Sequence, residues 1–271
     1  MQALDRTQLV KEFQELGLRD GMTVIVHASL SSFGQVEGGA PAVVAALRAA
    51  LGPEGTVAVP AFTPSVRDPF PEVAGPGDEL VSRGRDQVPA FHPGMPTEMG
   101  AIPNAVLAVP GCLRSSHPQV SVAAVGPHAR RITAQQSLGY AVGERSPFGT
   151  LRELGASILL LGVGHNRNSF LHHAEGMAAA HRRKRRRFPY LLGGERVWVE
   201  TGDVGDDNGM FFPTVGAEYE DLHQDTGLRT RTIGEAPCRL MPSVAFVDFA
   251  HRRLAELLAQ SPRPTPAPSA I

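Results

Sequence analysis

Residues 23 to 59, TVIVHASLSSFGQVEGGAPAVVAALRAALGPEGTVAV, decide the fold class of this chain. The β-branched runs Thr23–Val26 and Thr56–Val59 predict two short buried strands. Between them, Pro41 follows a glycine pair and predicts the start of a helix, because proline suits the first helical turn. This helix has one apolar face, made of Val43, Val44, Leu47 and Leu51. Strand, helix and strand in this order predict a βαβ unit, and with it an α/β fold built on a parallel or mixed sheet.

Hydrophobic periodicity predicts further elements on both sides of this unit. The predicted helices are Thr7–Leu16 (capped by Thr7), Asn168–Ala180 and Val244–Leu258, and the predicted strands are Ser121–Val125, Ile158–Val163 and Arg196–Glu200. The last strand is expected to pair with Tyr190–Leu192 through a glycine turn. Residues 63–100 are rich in proline and charge, which predicts functional loops with short helices. We expect a single domain over residues 1–260 and a disordered tail, rich in proline and serine, over residues 261–271.

Composition argues against several classes of protein. The 271 residues carry a formal net charge of −1, so no overall field favours nucleic acid or a membrane surface. No apolar run approaches the roughly 20 residues of a membrane span, and the first residues have no apolar signal core. Cys112 and Cys238 lie far apart without metal-type spacing, which favours a reducing compartment over a disulfide framework. We therefore expect a cytoplasmic protein.

The loop His27-Ala-Ser-Leu-Ser-Ser-Phe-Gly34, between the first strand and the helix, is the first candidate site. Serine hydroxyls and free backbone N–H groups at a helix N-terminus bind anions, and a pyrophosphate would suit this loop. A cluster of small residues also forms an ordinary capped turn, so the pattern alone leaves both interpretations open. Neither the Rossmann spacing of glycines nor the P-loop spacing is present.

His172 and Glu175 are the second candidate, because residues three apart on a predicted helix point to one side. A carboxylate beside a histidine orients the ring and raises its basicity, which suits a base that takes a proton from an attacking amine. The alternatives are a surface pair and, together with His173, a metal site. Adjacent histidines on a helix point about 100° apart and rarely share a metal, so no metal is expected.

Two further segments carry side chains that take part in chemistry. His117, in Ser115-Ser-His-Pro118, is held extended by the proline and either positions a substrate or marks a turn. The basic run His181–Arg187 is expected to be a solvated helix end plus loop. The near-neutral net charge and the lack of interleaved aromatic residues argue against nucleic acid. Contacts between these arginines and the phosphates of a cofactor are the remaining alternative.

Taken together, these segments resemble the aminoglycoside 3-N-acetyltransferase family. The most specific motif is Leu160-Leu-Gly-Val-Gly164 running into Asn168-Ser-Phe-Leu-His-His-Ala-Glu175. The other motifs follow in the family's order: the loop 27–34, Pro60-Ala-Phe-Thr63, Met95-Pro-Thr-Glu-Met-Gly100, Arg114-Ser-Ser-His-Pro118, Ser146-Pro-Phe148, Lys184-Arg-Arg, Phe212-Pro-Thr-Val-Gly216 and Cys238-Arg-Leu-Met241. The resemblance implies the α/β antibiotic N-acetyltransferase fold, with a mixed central sheet flanked by helices.

The resemblance also implies a reaction and a set of site residues. The enzyme would transfer an acetyl group from acetyl-coenzyme A directly to an amine, expected to be the 3-amino group of a 2-deoxystreptamine aminoglycoside, with antibiotic resistance as its role. His172 would be the general base, supported by Glu175, and His117 would lie near the thioester. Acetyl-coenzyme A would contact His27, Ser29, Leu30, Ser31, Ser32, Phe33, Gly34, Thr97 and Met99. The acceptor would contact Asn168, Phe170, Asp207 and Glu220.

This sequence departs from the family pattern at three positions. The usual aspartate of the motif before the base is Asn166, a serine is replaced by Phe170, and the serine that usually follows His27 is Ala28. Because the first change removes a charge, transfer to another amine, such as a biosynthetic intermediate or a different antibiotic, stays an alternative. The expected partners are acetyl-coenzyme A and a small amine, without metal, nucleic acid or membrane. The sequence leaves open whether the chain forms a homodimer.

Overall fold

A computed structural model describes residues 3–205 and 209–260, so the tail predicted to be disordered lies outside the described residues. The strands are β1 (Thr23–Ala28), β2 (Thr56–Pro60), β3 (Leu113–Arg114), β4 (Val122–Val125), β5 (Ser157–Leu161), β6 (Arg183–Leu192), β7 (Glu195–Val204), β8 (Arg229–Ile233) and β9 (Ala236–Pro242). The helices are α1 (Arg6–Leu16), α2 (Gly39–Leu51), α3 (Glu79–Asp86), α4 (Ala101–Leu107), α5 (Ala129–Thr133), α6 (Pro147–Glu153), α7 (Phe170–Gly176), α8 (Phe212–Leu222) and α9 (Ser243–Gln260). None of these helices is long and apolar enough to cross a membrane.

Seven strands form one mixed sheet in the order β3-β4-β2-β1-β5-β9-β8. β1 lies between β2 and β5 and is parallel to both, whereas the outer pairs are antiparallel. The predicted βαβ unit is confirmed, since α2 joins β1 to β2 and the two strands pair in parallel with Ile25 opposite Ala58. β6 and β7 form a separate two-stranded hairpin. The predicted mixed sheet flanked by helices is therefore the observed architecture.

Two hydrophobic clusters cover the two faces of the sheet, because successive side chains of a strand point to opposite faces. Val24 of β1 joins the cluster that contains residues of α1 and α2, whereas Ile25 joins the cluster that contains residues of α7, α8 and α9. The same alternation in β5 sends Leu159 to the first cluster and Leu160 to the second. Strands buried on both faces are continuous apolar runs, which is why the sequence predicts them well.

Some elements differ from their predicted form. Helix α1 is capped by Asp5 rather than by Thr7, because the side chains of Asp5 and Gln8 each accept a hydrogen bond from the other residue's backbone N–H. The predicted helix 168–180 is shorter, and β8 and β9 were not predicted. The expectation of a helix end and loop for the basic run is wrong, since residues 183–187 form half of β6 and pair with β7.

The long segment 63–100 contains one of the predicted short helices, α3, and is bonded to the hairpin through buried charges. The Asp68 carboxylate, 1 % exposed, accepts hydrogen bonds from Arg85 Nε at 3.0 and 3.1 Å and pairs with Arg187 of β6 at 3.2 Å. The backbone N–H of Asp68 also donates to the Arg187 carbonyl at 2.8 Å. One buried carboxylate therefore joins this segment to α3 and to the hairpin.

Candidate active site

A groove of about 520 Å³ lies where the parallel strands of the sheet end. His27 comes from the end of β1, Pro60 from the end of β2, and Val163 follows β5. Residues 98–101, at the start of α4, complete much of the lining. In open α/β sheets, ligands bind outside the carboxyl ends of parallel strands, so topology alone marks this groove as the first candidate site.

The groove is lined by five of the residues expected to contact acetyl-coenzyme A, namely His27, Ser29, Leu30, Ser31 and Met99. Three of them belong to the turn after β1, where a 3-10 helix spans Leu30–Phe33. The hydroxyl oxygens of Ser29 and Ser31 lie 3.1 Å apart, which brings two polar groups together on one wall.

The other four residues expected to contact the coenzyme lie outside this lining. The Ser32 hydroxyl donates to the Gly162 carbonyl at 2.9 Å, and the Thr97 hydroxyl donates at 2.7 Å to the carbonyl of Phe62, just after β2. Phe33 is buried in the hydrophobic core. Gly34 ends the 3-10 turn with φ of +74°, a conformation that favours glycine. These four residues shape the loops around the groove.

His27 connects the groove to helix α7. The ring is buried, and its Nε2 accepts the backbone N–H of Ser169 at 3.0 Å. Burial lowers the pKa of His27 to about 3, and the nearby His165 adds to this effect, so the imidazole is neutral. A neutral ring that accepts at Nε2 carries its proton on Nδ1. His27 therefore holds in place the residue that precedes α7.

His172 lies on α7, and its backbone N–H donates to the Ser169 carbonyl at 3.2 Å. Ser169 lines the groove, and His172 follows Ser169 by one helical turn. The half-buried imidazole packs edge-on against Phe212 of α8, with 4.7 Å between ring centroids. Gly205, directly after β7, lies against the ring as well, because a Cβ atom built there would be 2.9 Å from Nδ1. Helix α8 and the end of β7 thus confine the imidazole.

Glu175 is fully buried and follows His172 by three residues on the same helix. Its two carboxylate oxygens accept hydrogen bonds from Nε and Nη2 of Arg182, each at 2.8 Å. One of those oxygens, Oε2, lies 3.1 Å from the Cβ position at Gly205, so the carboxylate and the imidazole face the same glycine. The arginine compensates a buried charge that would otherwise be strongly unfavourable.

A second buried histidine, His165, lies just after β5. Its Nε2 is 2.8 Å from Oε1 of Glu220, and its ring stacks on Phe246. Arg239 Nε lies 2.5 Å from the same oxygen. Burial raises the pKa of Glu220, but the hydrogen bond from His165 and the charge of Arg239 outweigh it, so the net pKa is below the usual value. The negative charge of Glu220 is therefore compensated by Arg239 and by the hydrogen bond from His165.

Comparison with known proteins decides the family. The model of the aminoglycoside 3-N-acetyltransferase family matches residues 25–255. The chain belongs to this family. The SPbeta prophage-derived aminoglycoside N(3')-acetyltransferase-like protein YokD of Bacillus subtilis (strain 168) is 34 % identical over 254 residues, which cover 91 % of each chain. The crystal structure of YokD has a TM-score of 0.88, with 31 % identity and 97 % of each chain covered.

Two further relatives support the same family assignment. Aminoglycoside N(3)-acetyltransferase III of a Salmonella species is 34 % identical over 261 residues, which cover 90 % of this chain and 89 % of the relative. The structure of AAC-IIIb in a binary complex with CoASH has a TM-score of 0.84 at 29 % identity and covers 98 % and 100 % of the two chains. The chain is thus an acyltransferase of the aminoglycoside 3-N-acetyltransferase family, as the order of its motifs predicted.

Within this acetyltransferase, two residues expected to contact the acceptor are buried. Phe170 is fully buried and packs edge-on against Phe148, with 5.3 Å between centroids. Asn168 is also buried, and its Oδ1 accepts the Phe170 N–H at 3.2 Å. Both residues shape the start of α7, and their contact with the acceptor stays a prediction. Asp207, the third residue expected there, lies outside the described residues.

His117, expected to be a catalytic residue of the acetyltransferase, is fully buried. Its Nε2 donates to the Leu138 carbonyl at 3.1 Å, and its Nδ1 accepts the backbone N–H groups of Gln119 and Val120, both at 3.1 Å. Burial lowers the pKa of His117 to about 4. Both ring nitrogens of His117 are thus bonded to the backbone, which fixes the ring in place, and its catalytic role stays a prediction.

The structure also reveals three site residues that the sequence did not point to, namely Arg182, Gly205 and His165. Arg182 lies in the basic run, but its pairing with Glu175 cannot be predicted from the run's charge alone. Gly205 is one glycine among 29, and only its contact with His172 distinguishes it. His165 lies inside the family motif region, and its bond to Glu220 spans 55 residues. Among the described residues, no three His, Cys, Asp or Glu side chains are arranged to hold a metal ion.

Proposed function

We propose that this chain is an acetyl-coenzyme A-dependent N-acetyltransferase in which His172 is the general base. The observation that carries the proposal is the position of His172. It lies one turn from Ser169, which lines the groove, and it faces the same glycine as the buried carboxylate of Glu175. A histidine near a carboxylate, one helical turn from a residue of a ligand groove, suits a general base.

The chemistry follows from this arrangement. The amine nitrogen attacks the thioester carbonyl, a C–N bond forms, and the C–S bond breaks to release coenzyme A. His172 accepts the proton that the amine loses and passes it on to the leaving thiolate. Glu175 stabilises the imidazolium, while Arg182 keeps the carboxylate in place. A positioned base of this kind is worth roughly 10²–10⁴ in rate.

The groove suits the coenzyme in size and in chemistry. Its volume of about 520 Å³ falls within the usual range of small-molecule sites. Two serine hydroxyls, of Ser29 and Ser31, line one wall, and the exposed Arg167 adds a cation that suits phosphate groups. The binary complex of the relative AAC-IIIb with CoASH supports the assignment.

The acceptor proposed first is the 3-amino group of a 2-deoxystreptamine aminoglycoside, because the named relatives are aminoglycoside N(3)-acetyltransferases. One observation favours a second candidate, the same transfer to a different amine. Glu220 was expected to attract a polycationic sugar, but Arg239 and His165 already engage its carboxylate. Asn166 also stands where the family usually has an aspartate.

A thiol-release assay with acetyl-coenzyme A tests both candidates. The acceptor panel contains several aminoglycosides and small amines that are not sugars, and the product is mapped by NMR. Turnover with acetylation of the 3-amine supports the first candidate. Turnover only on other amines supports the second. Absence of thiol release with every amine, despite binding of the coenzyme, overturns the proposal.

A further inference from the structure

A second cavity, of about 720 Å³, lies between the segment 63–100 and strand β6. Its lining is rich in charge, and the cations outnumber the carboxylates. The cationic side chains are those of Arg67, Lys184, Arg185, Arg186 and Arg187, and the anionic ones are those of Asp68 and Glu200. A cavity walled by an excess of one charge concentrates ligands of the opposite charge.

The two carboxylates do not cancel this excess. Asp68 is engaged by Arg187 and also by Arg85, which lies outside the lining. Glu200 pairs with Arg185 at 3.3 Å, but both side chains are largely exposed, and such pairs contribute little. Arg67 is exposed and has no ion pair among the described residues. The lining therefore has a net positive charge that can attract an anionic ligand.

Two of the guanidinium groups are already held in position. Arg186 Nη1 donates to Gln119 Oε1 at 3.0 Å, and its Nε pairs with the buried Asp203. Arg187 Nη1 donates to the Val73 carbonyl at 3.1 Å. Both arginine side chains are about 15 % exposed. A planar guanidinium matches a phosphate, and one that is fixed in advance loses little side-chain freedom on binding.

The cavity adjoins both parts of the candidate active site. Ser65 lines the cavity, and its N–H donates at 2.9 Å to Oε1 of Glu98, which lines the groove. Asp203, the partner of Arg186, precedes by two residues the glycine that lies against His172. One hydrogen bond therefore joins the wall of this cavity to the wall of the coenzyme groove.

We infer that this cavity binds a phosphate-type oxyanion carried by a small molecule of the reaction. Arg186 and Arg187 supply the fixed guanidinium groups, and Arg67 supplies an exposed charge. The oxyanion is either a phosphate of the coenzyme or a phosphate on the amine acceptor. That distinction rests on the proposed function, whereas binding of the oxyanion does not.

Titration with inorganic pyrophosphate tests the site without any turnover. The chain has one tryptophan, Trp198, whose ring centroid lies 5.8 Å from Cζ of Arg187, so its fluorescence reports on the cavity. We expect a saturable change that weakens as salt is added. Arg67→Gln should weaken binding about tenfold, since a charge-assisted hydrogen bond is lost, and Arg67→Glu should weaken it further.

The matched control is Arg48→Gln, because Arg48 is an exposed arginine of α2 without an ion pair among the described residues. This variant should bind pyrophosphate as the wild type does. No saturable change in the wild type, or equal affinities of the wild type and both Arg67 variants, overturns the inference. Circular dichroism of each variant confirms that it is folded.

Steady-state kinetics then identify the source of the oxyanion. If it belongs to the coenzyme, Arg67→Gln raises KM for acetyl-coenzyme A, the effect shrinks with acetyl-3′-dephospho-coenzyme A, and pyrophosphate competes with the coenzyme. If it belongs to the acceptor, pyrophosphate competes with a phosphorylated amine, and Arg67→Gln leaves KM for the coenzyme unchanged. Phosphoethanolamine and ethanolamine form a matched pair of acceptors for this comparison.

Discussion

Gly205 lies directly against the imidazole of His172, so that a Cβ atom at position 205 would be 2.9 Å from Nδ1. The same Cβ would be 3.1 Å from Oε2 of Glu175. Gly205 also has φ of +73°, which L side chains rarely adopt. The glycine therefore determines how closely the end of β7 approaches the proposed base.

Gly205→Ala should lower kcat by tenfold or more while the coenzyme still binds. The added methyl group pushes the imidazole or the carboxylate from its position, and a displacement on the order of 1 Å costs up to about 10² in rate. The control is Gly21→Ala, because Gly21 has φ of +77° with no atom within 4 Å of its Cβ position. Both variants carry backbone strain, so an equal loss of kcat in the two would remove the special role of Gly205.

His172→Ala should lower kcat by about 10²–10⁴ and leave the affinity for acetyl-coenzyme A unchanged, since only the proton acceptor is removed. The matched control is the neighbouring His173→Asn. His173 is buried and bonds through Nδ1 to the Val142 carbonyl at 2.8 Å, and asparagine keeps a donor there. His173→Asn should keep its kcat. An unchanged kcat in His172→Ala excludes His172 as the base.

The elements that were predicted correctly are those whose signals lie in a short stretch of neighbouring residues. Strands β1 and β2 are buried on both faces, so their apolar runs are continuous and mark the strands within a few residues. The glycine pair and Pro41 mark the start of α2 for an equally local reason. The lining of the groove by Ser29 and Ser31 follows from their position directly after β1.

The features that could not be predicted depend on contacts between residues that are far apart in the sequence. Arg186 and Arg187 look like a solvated charge run, but they pair with the buried carboxylates of Asp203 and Asp68, 17 and 119 residues away. The basic run is a strand because its backbone pairs with β7, and these two ion pairs hold its arginines against buried carboxylates. In the same way, the motif containing His117 marks a family resemblance, but it does not report that both ring nitrogens bind backbone groups.

Removing one partner of the Glu175–Arg182 pair should lower the free energy of unfolding by about 3–5 kcal/mol, because a buried charge loses its compensation. Glu175 is fully buried and Arg182 is 18 % exposed. The double variant Glu175→Gln, Arg182→Gln should lose less than the sum of the two single variants, as measured by urea denaturation. The exposed pair Arg131–Glu153 is the control, and its variants should change stability by less than about 1 kcal/mol. Additive losses at 175 and 182 would contradict this coupling.

His117 should make stability depend on pH without contributing to turnover. Burial lowers its pKa to about 4 in the folded chain, against an ordinary value of 6.5 for histidine. Between these values the unfolded chain binds one more proton than the folded chain. The free energy of unfolding therefore falls by about 1.4 kcal/mol per unit as pH decreases through this window, and the contribution is fully present above pH 6.5.

His117→Gln removes this titration, so the slope of stability against pH between 4 and 6.5 should decrease by about one proton, while His27 still contributes its own. Urea denaturation of the wild type and the variant across this window measures the slope. The folded variant should keep its kcat, because both nitrogens of the native ring are bonded to the backbone. An unchanged slope would show that His117 is not held neutral by burial. A large loss of kcat in the folded variant would instead support the predicted catalytic role.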